Sequence, residues 1–148
     1  MSFLLNKPYR LILSILQYKL YYMKIISSKA HGILDYATAV FLLLSPTLFK
    51  MEGELATITY ILGAVHLTLT ILTNFEVGLI KVIPFRIHGL IEVVVALGLA
   101  ALAFWFYNNT NEFGFYFYMA LAVIIMIVFI LTDFKTAAVK RETNFPVN

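Results

Sequence analysis

The sequence predicts an all-α membrane protein: four transmembrane helices, built as two tandem, parallel two-helix repeats with a pseudo-twofold axis along the membrane normal. Three observations carry this reading. Hydrophobic residues make up 61% of the 148-residue chain and charged residues only 13%, which leaves too few polar side chains to coat a water-facing surface. The apolar residues gather into four stretches, at about 30–49, 55–73, 85–107 and 115–132, each long enough to cross about 30 Å of hydrocarbon. Finally, the opening of the first stretch recurs at the opening of the third. Residues 23–35 align with 80–92 at an offset of 57, matching Lys24 with Lys81, Ile26 with Ile83, Lys29 with Arg86, His31 with His88, Gly32 with Gly89 and Asp35 with Glu92.

Residues 1–22 precede the repeat. Lys7, Arg10, Ser14, Gln17, Tyr21 and Lys24 recur at three- and four-residue intervals and draw a narrow polar stripe on a helix. Two readings stand side by side. One is an amphipathic helix lying on the membrane surface; the other is an upstream extension ahead of Met23, where the repeated unit begins.

The first span ends in Ser45-Pro46, where water at the interface can replace the hydrogen bond that proline removes. Lys50-Met51-Glu52-Gly53-Glu54 is a polar turn, and the second span carries Gly63 and His66 in its interior. Between Asn74 and Arg86 the residues Val77, Leu79, Ile80, Val82 and Ile83 surround Lys81, as suits a short interfacial segment; Pro84 suits the first turn of the third span. Asn108-Asn109-Thr110-Asn111 makes a second polar turn. The pair Ile71-Leu72-Thr73-Asn74-Phe75 and Ile130-Leu131-Thr132-Asp133-Phe134 closes the second and fourth spans at an offset of 59. Repeat 1 therefore occupies 23–78 and repeat 2 occupies 79–135, with a basic tail over 136–148. Each repeat crosses twice, so both insert in the same sense.

Charge sets the orientation. Ten cations, among them Lys24, Lys29, Lys81, Arg86, Lys135 and Arg141, fall on one expected side and only Lys50 on the other. That asymmetry predicts a cytoplasmic (inner) membrane protein with both termini in the cytoplasm, its lysines toward anionic headgroups. It accounts for the net charge of +3 without nucleic acid. The absence of cysteine excludes disulfides and thiolate chemistry. Phosphate-cradling loops, HExxH and nucleophile-elbow motifs are missing as well, which disfavours the enzymes that depend on them.

The repeated two-helix unit, the Ser45-Pro46 after its first helix, and the polar Thr73-Asn74-Phe75-Glu76 close resemble the SPW-repeat family of prokaryotic membrane proteins over about residues 23–135. Thr47 stands where that family has tryptophan, and the second copy reads Leu102-Ala103-Phe104-Trp105 with no Ser-Pro. The resemblance implies a four-helix membrane topology and little about chemistry.

The residues that could carry chemistry are His31 with Asp35 and His88 with Glu92. At four-residue spacing each imidazole faces its carboxylate across one helical turn. Three readings compete for them: charge pairs that tie the two repeat-opening helices together at the cytoplasmic interface, with Lys29 and Arg86 snorkelling to neutralise the carboxylates; a proton or ion relay; and a metal site of two histidines and two carboxylates suited to zinc, iron or manganese. Gly32 and Gly89 would let the first and third spans cross closely. His66, in mid-span, reads first as a histidine hydrogen-bonded to a neighbouring threonine (Thr59, Thr68 or Thr70), and second as an axial ligand to haem b. The leading expectation is a non-enzymatic membrane scaffold or partner-binding module without a cofactor, associating with itself or another membrane protein through its apolar faces. The alternatives are transport of protons, ions or small solutes through the His–carboxylate pairs, and a redox subunit holding haem or quinone.

Overall fold

A computed structural model of the protein describes residues 11–13, 15 and 24–134. Four helices dominate it: α1 over Ser28–Leu48, α2 over Gly53–Leu72, α3 over Phe85–Asn108 and α4 over Glu112–Leu131. All four are long and apolar enough to cross a membrane. They match the expected spans to within a few residues at each end. Residues 11–13 and 15 are helical and exposed; the rest of the N-terminal extension and the tail over 136–148, with the readings made for them, lie outside the described residues.

Local chemistry sets the ends of these helices. The Ser27 hydroxyl accepts from Ala30 N–H and caps α1. Pro46 sits in the last turn of α1, and its carbonyl accepts from Met51 N–H, closing the turn to α2. Lys50 and Gly53 adopt positive φ in that turn. Asn111 caps α4 through Gly114 N–H at 2.8 Å.

Two short backbone pairings lie at the other end of the bundle. Strand β1 (Thr73–Asn74) pairs in parallel with β2 (Ile83–Pro84), aligning Thr73 with Ile83. Ile26 pairs in the same sense with Thr132, through Ile26 N–H to Leu131 O at 3.0 Å and Asp133 N–H to Ile26 O at 2.9 Å. Ile26 and Ile83 are matched positions of the repeated stretch, and so are Thr73 and Thr132; each opening stretch pairs with the close of the other half. These bonds gather the starts of α1 and α3 and the ends of α2 and α4 at one end of the molecule. The chain runs up, down, up and down.

The backbones approach closely within the α1–α2 hairpin and within the α3–α4 hairpin. Small residues, Ala39 on α1 and Ala96 and Ala103 on α3, lie buried, with Leu42, Leu99, Leu121 and Ile125 completing the apolar interior. Toward the turn end Thr59 of α2 and Tyr118 of α4 share a buried hydrogen bond of 2.8 Å. Large apolar side chains cover the outside: Leu34, Val40 and Leu44 on α1, Ile61 and Val65 on α2, Leu90, Val94 and Leu97 on α3, Ile124 and Ile127 on α4. Water would penalise such a surface, and lipid tails do not. The connection between α2 and α3 exposes Leu79, Ile80 and Val82 around Lys81, the apolar-and-cationic mix expected of an interfacial segment.

Candidate functional site

His31 and His88 are each the fourth residue of their helix, and Asp35 and Glu92 follow one turn later. The paired end just described brings the first turns of α1 and α3 together, and the four side chains meet inside the bundle. His31 Nε2 lies 3.4 Å from Asp35 Oδ1 and 3.2 Å from Glu92 Oε2. His88 Nε2 lies 3.2 Å from Asp35 Oδ2 and 3.4 Å from Glu92 Oε1. Each carboxylate thus divides its two oxygens between two imidazoles, one in its own helix and one across the bundle. Both histidines are fully buried and both carboxylates are 3% exposed.

Spacing alone gave the within-helix pairs. The cross pairs follow from the tertiary fold, and they replace the expected snorkelling partners. Lys29 and Arg86 are exposed, while the ion-pair partners found for Asp35 and Glu92 are the histidines.

The other ring nitrogens are tied to the far hairpin ends. His31 Nδ1 is 2.8 Å from Thr132 Oγ1, at the end of α4. His88 Nδ1 is 2.7 Å from Thr73 Oγ1, at the end of α2. Each threonine hydroxyl also lies 2.6 Å from a backbone carbonyl one turn earlier, Val128 O and Leu69 O respectively. A carbonyl can only accept, so the single hydroxyl proton goes there and the oxygen accepts from Nδ1–H. This fixes the tautomer: a neutral imidazole here carries its proton on Nδ1 and presents a lone pair at Nε2. Neither threonine was singled out for this role from sequence. The available signal was their matched place in the two closing pentapeptides.

Phenylalanines roof the quartet. The Phe85 ring stands edge-on to His31 at 5.2 Å and tilted over His88 at 6.2 Å, with Phe134 and Phe75 on either side of it. Gly32 and Gly89 make room for that roof. A Cβ on Gly32 would collide with the Phe75 ring, and one on Gly89 with the Phe134 ring. The glycines therefore seat aromatic rings, where a helix crossing was expected of them.

His66 stands apart from the quartet. The threonines nearby donate to backbone carbonyls instead of to its ring: Thr59 to Leu55, Thr68 to Ala64 and Thr70 to His66 itself. Its buried Nε2 has no hydrogen-bond partner. It lines a cavity of about 20 Å³ among Leu42, Leu62, Val95, Leu99, Leu121 and Ile125, space for about one water. A porphyrin does not fit there.

Chemically, two buried imidazole lone pairs and two carboxylates form a set that can bind a cation or share protons. Their ligand atoms all lie within 4.8 Å of one another. Comparison of the chain with protein-family models, with curated proteins and with solved structures finds no match to any of them.

Proposed function

We propose that the protein is a non-enzymatic membrane scaffold whose two hairpins are clasped by the His31–Asp35–His88–Glu92 quartet. The observation that carries this reading is the crossed pairing: each carboxylate reaches a histidine of the other hairpin, at 3.2 Å in both directions. Thr132 and Thr73 extend the clasp to α4 and α2, and the Thr59–Tyr118 bond ties the hairpins again toward the turn end. The axial cavity is apolar but for His66 and has room for about one water, which suits a packed scaffold better than a solute carrier.

On this reading the repeated halves arose by duplication of one hairpin, as the likeness to SPW-repeat proteins suggests. The basic end carrying Lys24, Lys29, Lys81 and Arg86 faces the cytoplasm and anionic headgroups of the inner membrane. The apolar outer faces contact lipid and other copies or partners.

The test uses a protease site inserted at residues 79–82 of the full chain, cleaved after the protein has been purified in detergent. The two halves should stay together on a sizing column, and should separate when Asp35→Ala and Glu92→Ala are combined. Halves that stay together equally well without the carboxylates would overturn the clasp.

A second reading, proton relay, draws on His66. It lies seven residues before Thr73, about 10 Å along α2, so the ionisable groups descend in steps from the paired end toward mid-bundle. Proton flux in liposomes that is lost in Glu92→Gln would favour the relay over the scaffold.

A further inference from the structure

Among the described residues, the buried side-chain nitrogen and oxygen atoms that lack a hydrogen bond are, apart from His66 Nε2, concentrated at one place. His31 Nε2, His88 Nε2, Asp35 Oδ2 and Glu92 Oε2 are all without one, although each stands 3.2 Å from another of the four. This arrangement needs a physical account, because unmet polar groups in a dry interior are costly and those beside carboxylates are most costly of all.

The threonines supply part of it. With Nδ1–H donated to Thr132 or Thr73, each neutral imidazole turns an acceptor lone pair toward carboxylate oxygens, which are acceptors too. Acceptor facing acceptor at 3.2–3.4 Å is repulsive unless something positive lies between. Two candidates exist: a second proton on each ring, or a metal ion. Both give a neutral site, since two imidazolium rings or one divalent ion cancel two carboxylates.

Geometry separates them. A proton on Nε2 must point along the ring plane at an oxygen to form a hydrogen bond. Each Nε2 stands 3.2 Å from one carboxylate oxygen and 3.4 Å from another, so a proton there would be split between two oxygens and aimed squarely at neither. The two contacts across the bundle instead suit edges of a coordination shell that takes one oxygen from each carboxylate, Asp35 Oδ2 and Glu92 Oε2. Ligands about 2.0–2.2 Å from a tetrahedral centre stand about 3.3–3.6 Å apart, and these two contacts are 3.2 Å each. One ligand atom from each of the four residues can be taken so that all lie within 4.8 Å of one another, and binding an ion would draw the widest of these pairs inward by about 1 Å to reach the tetrahedral edge.

The donor set narrows the ion. Imidazole nitrogen suits first-row transition metals, whereas calcium and magnesium favour all-oxygen shells. Hydrogen-bonded imidazole N–H groups are the usual support of metal-bound histidines, and here both are present. Four protein ligands under an aromatic roof leave no open position of the kind catalytic zinc sites keep.

We propose that His31, His88, Asp35 and Glu92 form a closed structural site for one divalent transition-metal ion, zinc being the best fit, with Thr73 and Thr132 as positioning residues. The proposal rests on the clasp reading and names what the clasp holds.

The experiment titrates the full-length chain, purified in detergent and treated with a chelator, with ZnCl₂ and separately with CoCl₂. One equivalent per chain should bind, the melting temperature should rise, and cobalt should give the intense visible bands of a four-coordinate site. His88→Ala should lose binding. Thr132→Val should weaken it by about 10- to 100-fold while Thr132→Ser retains it, a rescue that a packing role for the hydroxyl position would not predict. Nitrogen-15 shifts of the two imidazoles report the Nδ1–H tautomer in the metal-free protein, independently of any ion.

Failure to bind zinc or cobalt stoichiometrically, in a chain that remains folded by circular dichroism, overturns the site. The cleaved-chain assay distinguishes the two readings. Halves that hold together through the carboxylates but in the absence of metal leave the clasp standing and remove the ion. Halves that part whether or not metal is added remove the clasp itself.

Discussion

Thr73 and Thr132 each have one proton to give, and both give it to a carbonyl one turn back. That small choice decides which face of the imidazole the site sees. Replacing Thr73 by valine leaves His88 Nδ1–H buried without an acceptor, at a cost of about 1–3 kcal/mol, and thermal unfolding of the pair Thr73→Val and Thr73→Ser should show the loss only in the valine variant. The glycines give a second contrast. Gly32→Ala and Gly89→Ala push into phenylalanine rings and should cost about 1–3 kcal/mol of overpacking. Gly98 has nothing within 4 Å of a built Cβ, so Gly98→Ala should be neutral or stabilising by up to about 1 kcal/mol through helix propensity. A thermal-shift series of the three variants checks this, and equal effects at all three would contradict the seating role. The four residues of the quartet were legible in the sequence because histidine and carboxylate are rare in apolar helices. The threonines were not, since a helical threonine ordinarily satisfies itself on the preceding turn and these do that as well. The seating role of the glycines needed the position of Phe75 and Phe134, which lie three residues beyond the ends of α2 and α4.

Helices were the most legible elements. Their apolar length and flanking turns set all four to within a few residues. Two-residue pairings such as Thr73–Asn74 with Ile83–Pro84 are too short to leave a periodic signal, yet they bring the site ends together. The link between α2 and α4 was equally hidden: Thr59 and Tyr118 are matched positions at the offset of 59, but nothing in either local sequence says that they touch. Their hydroxyls meet at 2.8 Å inside the bundle, with Tyr118 stacked on Phe106. A double-mutant cycle of Thr59→Val and Tyr118→Phe should return a coupling energy of about 0.5–1.5 kcal/mol in detergent. Additive effects would mean that the bond contributes nothing to joining α2 and α4.

At the scale of the whole molecule large apolar side chains face outward as well as inward, and the buried quartet with Thr73 and Thr132, and the Thr59–Tyr118 pair, make polar contacts between helices. Such a bundle has little hydrophobic force driving its helices together in lipid, so packing and polar links carry the association. The two ends also differ in charge. Lys24, Lys29, Lys81 and Arg86 lie at the paired end, and Lys50, Glu52, Glu54 and Glu112 at the turns. The chain contains no cysteine, so single introduced cysteines can map this polarity without background. Lys29→Cys and Lys81→Cys should react with an impermeant maleimide from one side of inverted vesicles, and Lys50→Cys and Glu54→Cys from the other. All four positions are exposed, so burial cannot account for a difference among them. The paired ends bond Ile83 to Thr73 and Ile26 to Thr132 in the same sense, which requires that positions 29 and 81 share a side. Labelling of those two from opposite sides would break the even number of crossings between them, and with it the meeting of His31 and His88 on which the proposed clasp and the proposed ion site depend.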